Sequence, residues 1–142
     1  MLKGECNCGA VQFSIQGPLP GLYQCHCSLC QKQSGTASNA GTLVECEYFR
    51  WESGAEFIKQ WQKPSGFSSH FCRECGSPVP NRFKDYMWVP VGLMSGITTP
   101  VVAHICVEDT PAWDQPQDTS RSYPGMPDDI DEFLQFLKSS AH

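Results

Sequence analysis

The sequence predicts a mainly β fold, a curved sheet fastened by metal with few short helices and one helix at the C-terminus, on three observations. Short runs of alternating apolar and polar residues recur along the chain, as half-buried strands require. Gly, Pro and Ser clusters interrupt these runs at short intervals, which suits a mainly β architecture. Seven of the nine cysteines gather in three clusters, "ECNCGA", "CHCSLC" and "FCRECGSP".

The elements follow in order. In "AVQFSIQG" (10–17) Val11, Phe13 and Ile15 alternate with polar residues, and "GPLPG" (17–21) ends the strand. Further strands are expected over "TLVECEYF" (42–49), "FIKQWQ" (57–62), "YMWVPVGLM" (86–94) and "VVAHICV" (101–107). A Pro- and Asp-rich segment then predicts an acidic surface loop over about 108–128. "DDIDEFLQFLK" predicts a helix over about 128–138, capped by Asp128, with Ile130, Phe133, Leu134 and Leu137 as its apolar stripe. No repeat or low-complexity linker divides the chain, so a single domain over 1–142 is expected.

Composition narrows the function classes. With 40% apolar and 18% charged residues the chain is neither disordered nor membrane-spanning in character. No apolar run approaches the roughly 20 residues of a spanning helix, so no membrane partner is expected. The opening "MLKGECNCGA" lacks an apolar signal core, and a cytoplasmic, reducing location is expected. There structural disulfides are rare, and nine cysteines would leave one unpaired, so metal ligation is the better reading. The net charge of −5 argues against a general nucleic-acid partner, which needs a basic face. The charge is uneven. Lys59, Lys63, Arg73, Arg82 and Lys84 cluster in the middle, whereas eight acids lie between Glu108 and Glu132 against Arg121 alone. Such a skew describes two solvated faces, or a basic segment that meets an anionic ligand.

Zinc takes about four ligands in a tetrahedron, and a C-x-x-C turn sets two thiolates on one side of it. Cys72 and Cys75, followed by Gly76, form such a turn. Cys6 and Cys8, followed by Gly9, are its natural complement, giving a closed and structural four-cysteine site. Cys25, Cys27 and Cys30 are then left as three ligands with a fourth position open, the pattern of catalytic zinc. Two alternatives stand beside this. His26, His70, His104, Cys46 or Cys106 can complete the triplet as a second structural site, or a single zinc binds and some cysteines stay free. Cys46 and Cys106 sit singly in apolar strand patterns, where cysteine behaves as a small buried hydrophobe.

"GECNCGAVQF", "CHCSLCQKQSG", "FCRECGSP" and "VVAHICV…AWD" resemble, in order and spacing, the family of glutathione-dependent formaldehyde-activating enzymes, which includes the centromere-protein-V-like domains. The resemblance covers roughly residues 4–114. It implies a β-tent-like fold, a structural zinc on Cys6, Cys8, Cys72 and Cys75, and a second, catalytic zinc on Cys25, Cys27 and Cys30. Two zinc ions per chain are therefore expected. The implied activity is of the carbon–sulfur lyase type: a thiol such as glutathione binds at the open position and adds to a small aldehyde such as formaldehyde, as in an S-hydroxymethylglutathione synthase. Lys32, Arg73 and Arg82 lie near the cysteine segments and can pair with glutathione carboxylates. The alternatives are a non-catalytic zinc-pinned module for a protein or thiol ligand, and a thiol oxidoreductase similar to the methionine-R-sulfoxide reductases. The last would need Cys46 or Cys106 as nucleophile, and neither has the R-x-C-x-N setting.

Overall fold

A computed structural model describes residues 1–118 and 120–141; Thr119, within the expected acidic loop, and His142 lie outside the described residues. The fold is mainly β, as predicted. In chain order the strands and helices are β1 (Leu2–Glu5), β2 (Gln12–Ile15), β3 (Leu22–Cys25), α1 (Ser28–Ser34), β4 (Asn39–Glu45), β5 (Phe49–Ser53), β6 (Ile58–Gln62), β7 (Ser68–Cys72), β8 (Asn81–Phe83), β9 (Tyr86–Pro90), β10 (Val101–Ile105), β11 (Arg121–Ser122) and α2 (Ile130–Ser139).

The structure corrects several sequence boundaries, each for a local reason. The apolar run over 42–49 is not one strand: β4 stops at Glu45, a 3-10 turn occupies Cys46–Tyr48, and Phe49 opens β5. The run over 86–94 ends as a strand at Pro90, and a 3-10 turn follows at Val91–Leu93. Proline has no N–H to offer the ladder there. The run over 101–107 ends at Ile105, because Cys106 takes the left-handed region at φ 56° and turns the chain. The last helix starts at Ile130 and is capped by Asp129, not Asp128: the Glu132 N–H donates to Asp129 Oδ1 at 3.1 Å. A cap acceptor serves the amide two or three residues ahead, and Asp129 stands at that distance from Glu132. The sequence allows few short helices but places none over α1. Its seven residues include none that is buried, so no amphipathic period marks it in the sequence.

The chain divides into two compact units, Met1–Leu19 with Leu43–Ile97, and Pro20–Thr42 with Thr98–His142. In the first, β1, β2 and β5 form an antiparallel sheet with β2 in the middle. Gly4 lies opposite Phe13, and any Cβ at Gly4 would collide with the Phe13 ring. Phe13 stacks on Phe49 at 5.4 Å and meets Trp51 edge-on at 6.4 Å. Strands β6 and β7 form a hairpin with Ile58 opposite Cys72, and β8 and β9 form another. Cys6, Val11, Cys72 and Val79 pack together, with Trp51, Phe57, Ile58 and Cys75 against them. Two metal-type cysteines thus sit in the apolar core of this unit.

In the second unit β10 is parallel to both β3 and β11, and β3 pairs antiparallel with residues 39–41 of β4. Helix α2 covers this layer. Of the four predicted stripe residues Phe133, Leu134 and Leu137 are buried and Ile130 is half-buried, and Phe133 meets Tyr23 and Tyr123 edge-on. Gly21 donates its N–H to the Leu137 carbonyl at 2.9 Å, and Val102 and Ser140 leave no room for a side chain there. Among the described residues no helix is long and apolar enough to cross a membrane.

Candidate metal centres

The first unit holds Cys6, Cys8, Cys72 and Cys75 with their four sulfurs all within 4.8 Å of one another. Each pair is delivered by a tight turn closed by glycine. Gly9 N–H donates to the Cys6 carbonyl at 3.0 Å and Gly76 N–H to that of Cys72 at 2.7 Å, and both glycines have φ of 79°. That left-handed conformation is cheap only without a Cβ. The two turns are locked to each other through Ser77, whose hydroxyl accepts the Asn7 N–H at 2.9 Å.

The sulfur spacing discriminates between chemistries. Cys6 and Cys8 sulfurs lie 3.6 Å apart, and those of Cys8 and Cys72 lie 3.8 Å apart. A disulfide needs about 2.05 Å. A tetrahedron with metal–sulfur bonds of about 2.3 Å has edges of about 3.8 Å. The donor set therefore fits a tetrahedral thiolate metal. Proton affinities point the same way, because four thiols so close cannot all ionise without a cation between them. The Ser77 hydroxyl, 3.4 Å away, holds the Cys75 thiol down at about 5. The Ala10 N–H lowers Cys8, but burial and the neighbouring sulfurs prevail and push it up to about 12. Against its burial, the Val11 N–H at 3.3 Å lowers Cys6.

The second unit holds the other group, Cys25, Cys27 and Cys30, whose sulfurs are likewise within 4.8 Å of one another. Cys25 ends β3 and Cys30 lies in the first turn of α1. Cys27 caps that helix: its sulfur accepts the Cys30 N–H at 3.3 Å. The unforeseen helix is thus the device that folds a linear C-x-C-x-x-C into three convergent sulfurs. Cys30 and burial push the Cys25 thiol up, and burial raises Cys27. Three soft donors in one place also fit a thiolate metal, with one tetrahedral position left over.

None of the residues considered as a fourth ligand joins this group among the described residues. His70 and Cys46 belong to the first unit, where they line a cavity of about 380 Å³ with Trp51 and Arg82. His26 and His104 turn to each other, His26 Nε2 lying 2.9 Å from His104 Nδ1. His104 Nε2 in turn lies 2.9 Å from a carboxylate oxygen of Asp118. Cys106 is buried, and that burial, together with its proximity to Cys25, pushes its thiol up to about 12. The sequence offers Cys106 both as a small buried hydrophobe and as a residue that completes the triplet; it is buried beside Cys25 and does not join the group of three sulfurs. The bases are partly engaged. Arg73 pairs with Glu74 at 3.6 Å and lies over the Phe57 ring, and Arg82 donates to the Lys84 carbonyl. Lys32 stands in the last turn of α1.

Comparison with known proteins identifies the family. A protein of Halomonas elongata, provisionally named a glutathione-dependent formaldehyde-activating enzyme, is 29% identical over 91% of this chain and 90% of its own. The crystal structure of a Rhodobacter sphaeroides protein, 24% identical, superposes with a TM-score of 0.56 over 70% of this chain and 98% of its own, a likeness of fold alone. Residues 1–109, which carry all seven clustered cysteines, match the family of glutathione-dependent formaldehyde-activating enzymes, and the chain belongs to that family.

Proposed function

We propose that this protein binds two zinc ions, a structural one on Cys6, Cys8, Cys72 and Cys75 and an accessible one on Cys25, Cys27 and Cys30. At the second it takes a thiol such as glutathione and promotes its addition to a small aldehyde such as formaldehyde, a carbon–sulfur lyase-type reaction. The observation that carries this reading is the difference between the two groups: four convergent sulfurs in one, three in the other. Family membership and the name of the Halomonas elongata relative support the choice of thiol and aldehyde.

Bound zinc would act as a Lewis acid that holds an incoming thiol, ordinarily titrating near pH ~8.5, as the thiolate. The rest falls to the chain. Cys25, Cys27 and Cys30 fill three positions and leave the fourth for an external sulfur. The Cys30 N–H fixes the Cys27 sulfur, so the three donors keep their relative placement. Addition forms one C–S bond, the carbonyl π pair becomes a hydroxyl, and the thiol proton ends on that oxygen. No oxidant or reductant is required. Lys32, two residues beyond Cys30, is the base best placed along the chain to meet a glutathione carboxylate.

The test is exchange NMR between formaldehyde and glutathione with and without the protein. Faster exchange is expected with it. Unchanged exchange together with no detectable glutathione binding removes the proposal, while binding without faster exchange reduces it to a thiol-binding module.

A further inference from the structure

Behind the three-cysteine group runs a buried polar chain that the proposed reaction does not use. His26 and His104 are each only 2% exposed, and Asp118 reaches His104 from the acidic segment with its own side chain half exposed. Asp118 Oδ1 also accepts the Ser120 N–H at 2.9 Å, so the carboxylate is held from two sides. Its pKa is down at about 2, chiefly through the His104 hydrogen bond, so it is an acceptor only at ordinary pH.

The hydrogen-bond logic then has one solution for neutral rings. The carboxylate accepts, so His104 Nε2 carries a proton and donates. His104 Nδ1 is left with a lone pair and accepts from His26 Nε2–H at 2.9 Å. His26 Nδ1 is left with a lone pair, and no partner meets it among the described residues. His26 contributes no atom to the sulfur group, yet it is the residue between Cys25 and Cys27. Its main chain is also held at both ends: its N–H donates to the Ile105 carbonyl at 3.0 Å, and its carbonyl accepts from the Gln31 side chain at 2.8 Å.

We propose that Asp118, acting through His104, is a positioning residue for the three-cysteine group: it locks the His26 ring in the Nε2–H tautomer and so holds the backbone between Cys25 and Cys27 in the conformation that makes their sulfurs converge. The acidic segment is thereby coupled to the metal ligands through three side chains. Outer partners of this sort contribute strongly to metal sites, their loss weakening metal affinity by roughly 10–100-fold.

The inference rests on Cys25, Cys27 and Cys30 being zinc ligands, but its test uses neither glutathione nor aldehyde, so failure of the proposed reaction leaves it standing. Two readouts are taken on the zinc-loaded protein: the tautomers of His26 and His104 by ¹⁵N NMR of the imidazole rings, and the affinity of each zinc by competition with a chromophoric chelator. Both rings are expected as Nε2–H in the native protein. In Asp118→Ala the His104 tautomer becomes mixed, and the more weakly held zinc is expected to lose roughly tenfold in affinity while the other is unchanged. Asp118→Asn, whose amide oxygen still accepts from His104, is expected to restore most of both. A native His26 protonated at Nδ1 overturns the inference without any variant, and so does an Asp118→Ala protein with native tautomers and zinc affinities within twofold of native.

Discussion

At the scale of single residues, two cysteines of the same chemistry are expected to behave differently. Cys75 completes a group in which Cys6 and Cys72 are 2% and 0% exposed in the core of their unit. Cys75→Ser is therefore expected to lose one zinc and to unfold that unit, because metal binding there is coupled to folding. Cys30→Ser is expected to lose the other zinc with the far-ultraviolet circular dichroism of the native protein retained, since Cys30 lies partly exposed on a helix with no buried residue. Equal unfolding in the two variants would mean that the second group is structural as well. Cys106 supplies the complementary check. It touches Cys25 without joining the three-sulfur group, so Cys106→Ala is expected to keep two zinc ions by elemental analysis. A value near one would make it the fourth ligand.

At the scale of elements, the turn between β5 and β6 leaves no tolerance. Gly54 has φ of 81°, and a Cβ there would collide with the Ala10 carbonyl oxygen, which is backbone and cannot swing aside. Gly54→Ala is expected to destabilise by at least about 2 kcal/mol, read from the denaturant midpoint of the zinc-loaded protein. Helix α2 is sensitive in a different way. Phe133 is 1% exposed and wedged between two tyrosines, so Phe133→Ala should cost about 3–5 kcal/mol, against about 1 kcal/mol for removing the cap in Asp129→Ala. The acidic segment adds a pH dependence. Asp118 titrates lower in the folded protein than the unfolded value of ~3.9, so the unfolded state binds more protons as acid is added. Its contribution is complete above about pH 4 and disappears as pH falls toward 2. Hydrogen exchange of the Ser120 amide, which Asp118 accepts, should accelerate over that window relative to the intrinsic rate.

At the scale of the whole molecule, the two cysteine groups are divided between the two compact units, four in one and three in the other. A closed shell holds its metal by four bonds in a core, whereas an open one offers a competing ligand a way in. Graded addition of a chelator is therefore expected to remove zinc in two steps. The first should abolish glutathione binding with the fold intact, and the second should unfold the unit of Cys6 and Cys72. A single step that removes both metals and the fold together would count against separate roles. The net charge of −5 sets the background for this chemistry. It discourages anionic polymers, and it makes the placement of each base near the cysteines matter more for an anionic thiol.

The amino-acid sequence by itself determined which cysteines gather, where β9 and β10 begin, and three of the residues by which α2 faces the core. These are matters of spacing and period, written locally: C-x-C and C-x-x-C with a following glycine, alternation at Val11, Phe13 and Ile15, and a stripe at Phe133, Leu134 and Leu137. The strands that escaped it, β3, β7 and β8 among them, are short or lack alternation; β3 gains its order from β10, far along the chain, and β7 and β8 from their hairpin partners β6 and β9. Only the tertiary structure decided that α1 bends the triplet into one group, that Cys106 touches it, and that Asp118 reaches His26 through His104. The two contacts of His104, with His26 and with Asp118, join positions 78 and 14 residues apart, and neither separation leaves a period in the sequence. They arise because β3 and β10 lie side by side and in parallel, with His104 in register with Gln24, which brings His26 and His104 to one end of the sheet.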